Sequence, residues 1–237
     1  MNKKKKQLER YQLEKFVSNE SLKFRVHEIR DFETPDFIVD INNRKISIEH
    51  TRLINPQLQE IETYRNKIIK TAQKKFEEKY SDKLYVLITF KNIELKGGIK
   101  EQNNYTNEVF NLIERIYLDN KEYDFRITSK RDIAKVCPTI ESFSVNNTET
   151  FSHWQHFGAY RVDWIDMKWL QSIITKKEQN IVKYSGNFDG HWLLLVSDFG
   201  TKASANRTDL IDFSIIKSKF DKIYIHNYRA DEVTLIK

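Results

Sequence analysis

The chain has one cysteine, three prolines and six glycines among its 237 residues. It also lacks the run of ~18 apolar residues that a membrane-spanning helix needs. A lone Cys137 excludes an internal disulfide framework and fits a reducing compartment. With no signal-peptide core either, the sequence predicts a cytoplasmic protein that makes no use of a membrane. Neither a glycine-rich phosphate loop nor an internal repeat is present, and no low-complexity linker follows the first residues.

What is present is globular in character: 31% charged and 13% aromatic residues. A net charge of +6 and a pI near 9.1 favour an acidic partner, nucleic acid foremost. The length suits one domain over residues 1–237, with an aromatic-rich elaboration at about 120–166.

Residues 33–51 organise the rest. Two alternating runs, 36–41 and 44–51, flank Asn42-Asn43, a pair that tolerates the positive φ of a two-residue hairpin turn. If these two residues are the loop, Val39 faces Ile46, Phe37 faces Ile48 and Asp36 faces Glu49. The period of two then puts Phe37, Val39, Ile46 and Ile48 on a core face. The other face sets Asp36 and Glu49 about 5 Å apart, an unfavourable pairing of like charges. Such a pair asks for a raised pKa or a cation, and a hard, oxygen-seeking ion such as Mg²⁺ suits it. Glu33 is a third acid just upstream. If the turn has three residues instead, the acids part and a plain α/β interaction module is left.

Pro35-Asp36, a short spacer, and then Ile46-Ser47-Ile48-Glu49-His50-Thr51 resemble the PD-(D/E)xK nuclease superfamily. The resemblance implies a restriction-endonuclease-like α/β fold, a three-layer core with a central mixed sheet flanked by helices. It implies a Mg²⁺- (or Mn²⁺-) dependent endonuclease or phosphodiesterase. Asp36, Glu49 and the His50 carbonyl would hold the ion, while Glu33 and Glu14 could complete a second position. Thr51 stands where that family has its lysine. DNA is favoured over RNA as the partner, and restriction-type members are often homodimers. The alternative is a catalytically inactive nuclease-fold protein that binds nucleic acid or a protein.

Two cations on apolar helical stripes are candidates for the displaced lysine. A helix predicted over 57–80 carries Arg65 among Leu58, Ile61, Tyr64, Ile68 and Phe76, and one over 167–184 carries Lys177 among Leu170, Ile173, Ile174 and Tyr184. Lysine is almost never buried unpaired. Further predictions are a helix within 1–18 behind a solvated lysine run, strands at 22–32, 84–90, 132–136, 141–145, 158–164, 191–196, 221–227 and 232–236, and helices at 104–119 and 209–217. The continuous apolar run 84–90 reads as a strand covered on both faces. His153 and His156 have the spacing of one helical face, without the third ligand of a zinc site.

Overall fold

A computed structural model describes residues 3–93, 95–129, 137–157 and 162–237. In chain order the elements are α1 (Lys3–Val17), β1 (Val26–Asp31), β2 (Phe37–Ile41), β3 (Arg44–Arg52), α2 (Pro56–Lys79), β4 (Tyr85–Phe90), α3 (Ile99–Asn120), β5 (Arg126–Ser129), β6 (Ile140–Asn146), β7 (His153–His156), α4 (Met167–Glu178), β8 (Gly190–Ser197), β9 (Lys222–Asn227) and β10 (Glu232–Leu235). They form two compact units: unit 1 is Met1–Asn55 with Arg161–Lys237, and unit 2 is Pro56–Tyr160. Each unit has its own mixed sheet, so the single central sheet expected from sequence is replaced by two.

Unit 1 is built on six strands in the order β1-β2-β3-β8-β9-β10. The first three run antiparallel, β3, β8 and β9 are parallel, and β10 returns antiparallel to β9. The β2–β3 register is the one the sequence predicts, with Phe37 opposite Ile48 and Val39 opposite Ile46. Asn42 (φ 54°) and Asn43 (φ 60°) take the two left-handed positions of the turn. Asn42 also exchanges two hydrogen bonds with the Arg25 backbone, at 2.8 and 2.9 Å, which ties β1 to the turn.

Strand β8 explains the layering. Its alternate residues Trp192, Leu194 and Val196 pack with Leu13, Phe16 and Val17 of α1. Leu193 and Leu195 face the other way, against Leu170 and Ile174 of α4. Unit 1 is therefore three layers deep, helix, sheet and helix. Full burial of each such side chain contributes about 1.5–3 kcal/mol. The lysine run read as a solvated end lies within α1.

Unit 2 holds the sheet β5-β6-β4-β7, in which only β4 and β7 are parallel. Both α2 and α3 pack on one face of it: Ile68, Ile69 and Phe76 of α2 and Val109, Leu112 and Ile113 of α3 meet Val86, Ile88, Phe90 and Trp154. Among the described residues the other side of β4 is only partly covered, with Tyr85, Leu87 and Thr89 half-buried. His153 and His156 lie on a strand, not a helix, so their spacing of three directs them to opposite faces. Residues 209–217 form turns instead of the expected helix. The strand expected at 132–136 falls outside the described residues, as do residues 158–161 of the one at 158–164; from the latter, Trp164 makes a single bridge to Arg207. Among the described residues no helix is long and apolar enough to cross a membrane.

Candidate active site

The base of the β2–β3 hairpin carries the acid pair. The ladder ends at Phe37 and Ile48, so its next step sets Asp36 opposite Glu49. Glu49 is paired with Leu193 of β8 and therefore faces the α4 layer. The residue is 4% exposed, and its carboxylate accepts three hydrogen bonds. Lys177 Nζ of α4 donates to Oε1 at 3.0 Å, Asn180 Nδ2 donates to the same oxygen at 2.9 Å, and Tyr184 OH donates to Oε2 at 3.0 Å. Lys177 Nζ also lies 3.4 Å from the His50 carbonyl. The lysine thus spans two oxygens of β3 from the facing helix.

Asp36 is half-buried, and its Oδ2 accepts the His50 backbone N–H at 2.9 Å. Burial, and next the charge of Glu49, push its carboxyl up to about 6 from 3.8. The His50 N–H, Lys177 and Lys6 offset only part of this. Lys6 of α1 donates to the carbonyls of Asp36 at 2.7 Å and Phe32 at 3.0 Å, and sits 4.1 Å over the Phe37 ring. The His50 ring points into the α1 layer, with Nε2 3.1 Å from Gln12 Oε1. Burial, then Lys177 and Lys6, lower its pKa to about 3, so the imidazole is neutral at physiological pH. Burial, with the Glu49 charge, raises the Tyr184 phenol well above its usual range and keeps it a donor.

Two residues back along β3, on the same face as Glu49, Ser47 Oγ lies 2.6 Å from His191 Nδ1. The His191 ring packs against Tyr184 and Phe188, with centroids 5.5 and 5.8 Å away. This arrangement continues the polar face of β3 beyond Glu49.

The residues singled out from sequence are distributed as follows. Asp36, Glu49, the His50 carbonyl and Lys177 converge. Thr51 follows on β3 with its side chain on the Glu49 face. Glu33 is exposed in the turn before Asp36, whose Thr34–Pro35 peptide is cis. Glu14 does not join the site: it is exposed on α1 and ion-paired with Arg10 at 2.7 Å. Glu9, not Glu14, is the acid on the buried face of that helix. Arg65 belongs to unit 2, where it donates to the carbonyls of Lys91 at 3.0 Å and Ile93 at 3.3 Å and lies 3.5 Å from His156 Nε2. Its partners are backbone carbonyls and a ring nitrogen, not the carboxylate or phosphate anticipated for it. Sequence reading missed Asn180, Tyr184 and Lys6 as partners of the acids. The helix expected over 167–184 ends at Glu178, and Tyr184 follows a separate turn at Ile181–Lys183, so the Lys177 stripe does not itself place it.

The oxygen donors suit a hard divalent cation. Mg²⁺ is commonly held by one or two carboxylates, with water and substrate phosphate filling the other positions. Burial, and then the like charge of Glu49, raise the Asp36 carboxyl, and a cation there would offset both. No group of three or more His, Cys, Asp or Glu side chains able to hold a metal occurs among the described residues. Compared with family models, curated proteins and solved structures, the chain finds no match in any of the three.

Proposed function

We propose that unit 1 is a restriction-endonuclease-like nuclease domain that hydrolyses phosphodiesters in DNA with the help of Mg²⁺ or Mn²⁺. The observation that carries this reading is the lysine of a facing helix bound to one of two apposed strand carboxylates. Asp36, Glu49 and the His50 carbonyl would hold the ion. When bound, it supplies Lewis-acid polarisation of a phosphoryl oxygen and a more acidic water. Lys177 would bring positive charge to the attacking water or to the phosphoryl oxygens, as Thr51 cannot. Asn180 and Tyr184 fix the Glu49 carboxylate so that its free lone pairs keep one direction. The order of elements in unit 1 supports the fold reading: one helix, three antiparallel strands, then a helix on the opposite face and two further strands that run parallel to β3. The net charge of +6 supports a nucleic-acid substrate held mainly through its backbone.

A second reading has its own observation. Lys177 already neutralises Glu49, and Thr51 replaces the motif lysine, as in a nuclease fold that binds without cutting. One experiment separates the two. Plasmid, linear duplex and single-stranded DNA, and RNA, are incubated with the protein in Mg²⁺, Mn²⁺ or EDTA. Metal-dependent cleavage that disappears in Asp36→Asn and Glu49→Gln is the expected result, with Lys177→Ala slower by about 10²–10³-fold. No cleavage of any substrate in Mn²⁺, with DNA binding intact, sinks the enzyme and leaves the binding protein.

A further inference from the structure

A cleft of about 550 Å³ opens in unit 1 beside the acid pair. This is within the ~300–1,000 Å³ typical of small-ligand sites. One wall is the segment that leads into Asp36, with Asp31, which is ion-paired with Arg10 at 3.2 Å, Phe32, Glu33 and Thr34. The other is formed by Lys183 and Ser185, the two neighbours of Tyr184. Both walls therefore adjoin residues that hold the site: Lys6, also in the lining, is bonded to the Asp36 carbonyl, and Tyr184 to Glu49.

The lining is graded in charge and shape. Phe32 is 45% exposed, yet its backbone is pinned twice, by its N–H to the Asp36 carbonyl at 3.0 Å and by Lys6 on its own carbonyl. A ring held out by a fixed backbone is a preorganised stacking surface, and base–aromatic stacking tolerates any base. Lys6 is committed to carbonyls, whereas the exposed Lys183 ammonium has no partner among the described residues and can meet a phosphate. Glu33 repels phosphate from the Phe32 wall but can accept from the amino edge of a base. A phosphate therefore belongs on the Lys183–Ser185 side, whose two residues flank Tyr184 in the chain, with its base towards Phe32. In an intact duplex that base face is stacked and its edge paired, so neither is available.

We infer that this cleft binds one unpaired nucleotide next to the scissile phosphate, so that the substrate is single-stranded or locally opened nucleic acid, not continuous duplex. The inference rests on the nuclease reading, but its test needs neither metal nor cleavage. Fluorescence anisotropy in EDTA compares an adenine-rich labelled single strand with the blunt duplex of the same sequence. Phe32→Ala should weaken single-strand binding by about 5–100-fold, leave duplex binding unchanged, and be rescued by Phe32→Tyr. Lys183→Ala should weaken single-strand binding and reduce its salt dependence by about one phosphate contact, a slope change near 0.7. An unchanged single-strand affinity in Phe32→Ala, an equal loss on duplex, or no single-strand binding by the wild type would each overturn the inference. The nuclease reading fails on different results: no metal-dependent cleavage by the wild type, or cleavage that survives Asp36→Asn and Glu49→Gln.

Discussion

Asp36 is a carboxylate that the fold holds against its preference, and Asp36→Asn should therefore stabilise the metal-free protein. Its carboxyl rises from 3.8 to about 6 through burial and then the charge of Glu49. Two pKa units at 1.36 kcal/mol each are worth about 3 kcal/mol. The sign follows from proton uptake. Between pH 3.8 and about 6 the folded state holds more protons at this group than the unfolded chain does, so stability falls as pH rises through that window. Below it the aspartate is protonated in both states and the penalty is absent. The amide oxygen of asparagine can still accept the His50 N–H, so the hydrogen bond survives the change. In EDTA near pH 7 the variant should be more stable by about 2–3 kcal/mol, or about 5–10 °C in Tm for a chain of this length. The advantage should vanish near pH 4. Urea titrations of both proteins across this range, followed by tryptophan fluorescence, provide the measurement. A variant less stable than wild type near pH 7, or an advantage that persists at pH 4, would refute the account of Asp36.

Other consequences can be measured in the same way. Lys177→Met leaves Glu49 charged and buried with only Asn180 and Tyr184 as donors, and should cost about 3 kcal/mol, much of which the double change Glu49→Gln with Lys177→Met should restore. At the hairpin turn, Asn43→Gly should preserve stability or raise it slightly, whereas Asn43→Val should lose about 1–2 kcal/mol because a β-branched residue resists positive φ; chemical denaturation distinguishes them. Trp154, fully buried in unit 2, should cost about 3–5 kcal/mol when replaced by alanine. Denaturation curves of that variant showing less than about 1 kcal/mol would mean that the unit 2 core is misdescribed.

The hairpin register was legible because two adjacent asparagines fix the loop length and a strict alternation then fixes every facing pair. Lys177 was legible as a charge on an apolar stripe, but so was Arg65, which meets backbone carbonyls and a ring nitrogen; the stripe alone does not say that a charge will find a buried anion. Glu14 was assigned on too short a window: the stripe of Leu13 and Phe16 extends back to Glu9, four and seven residues earlier, whereas Glu14 sits one turn from Arg10 on the opposite side. The roles of Lys6 and Asn180 depend on which side chains the tertiary fold brings within reach, and no local period encodes that. Strand β4 was apolar enough to look central, but an apolar run does not say which sheet will take it or whether its second face is covered. Helical spacing of two histidines meant nothing once the backbone there was extended.

Strand β3 pairs in parallel with β8, and Ile46 opposite Gly190 joins positions 144 residues apart. Unit 2 is a contiguous stretch lying between these partners. During synthesis, therefore, the acidic hairpin leaves the ribosome long before its neighbour exists, with the pairing edge of β3 open. Unit 2 can complete its sheet in that interval, but Glu49 cannot acquire Lys177, Asn180 or Tyr184 until the last quarter of the chain has emerged. Assembly of the candidate site is thus a late event in the life of the nascent chain, and slow translation between β7 and β8 would prolong the period in which β3 is open to unwanted pairing.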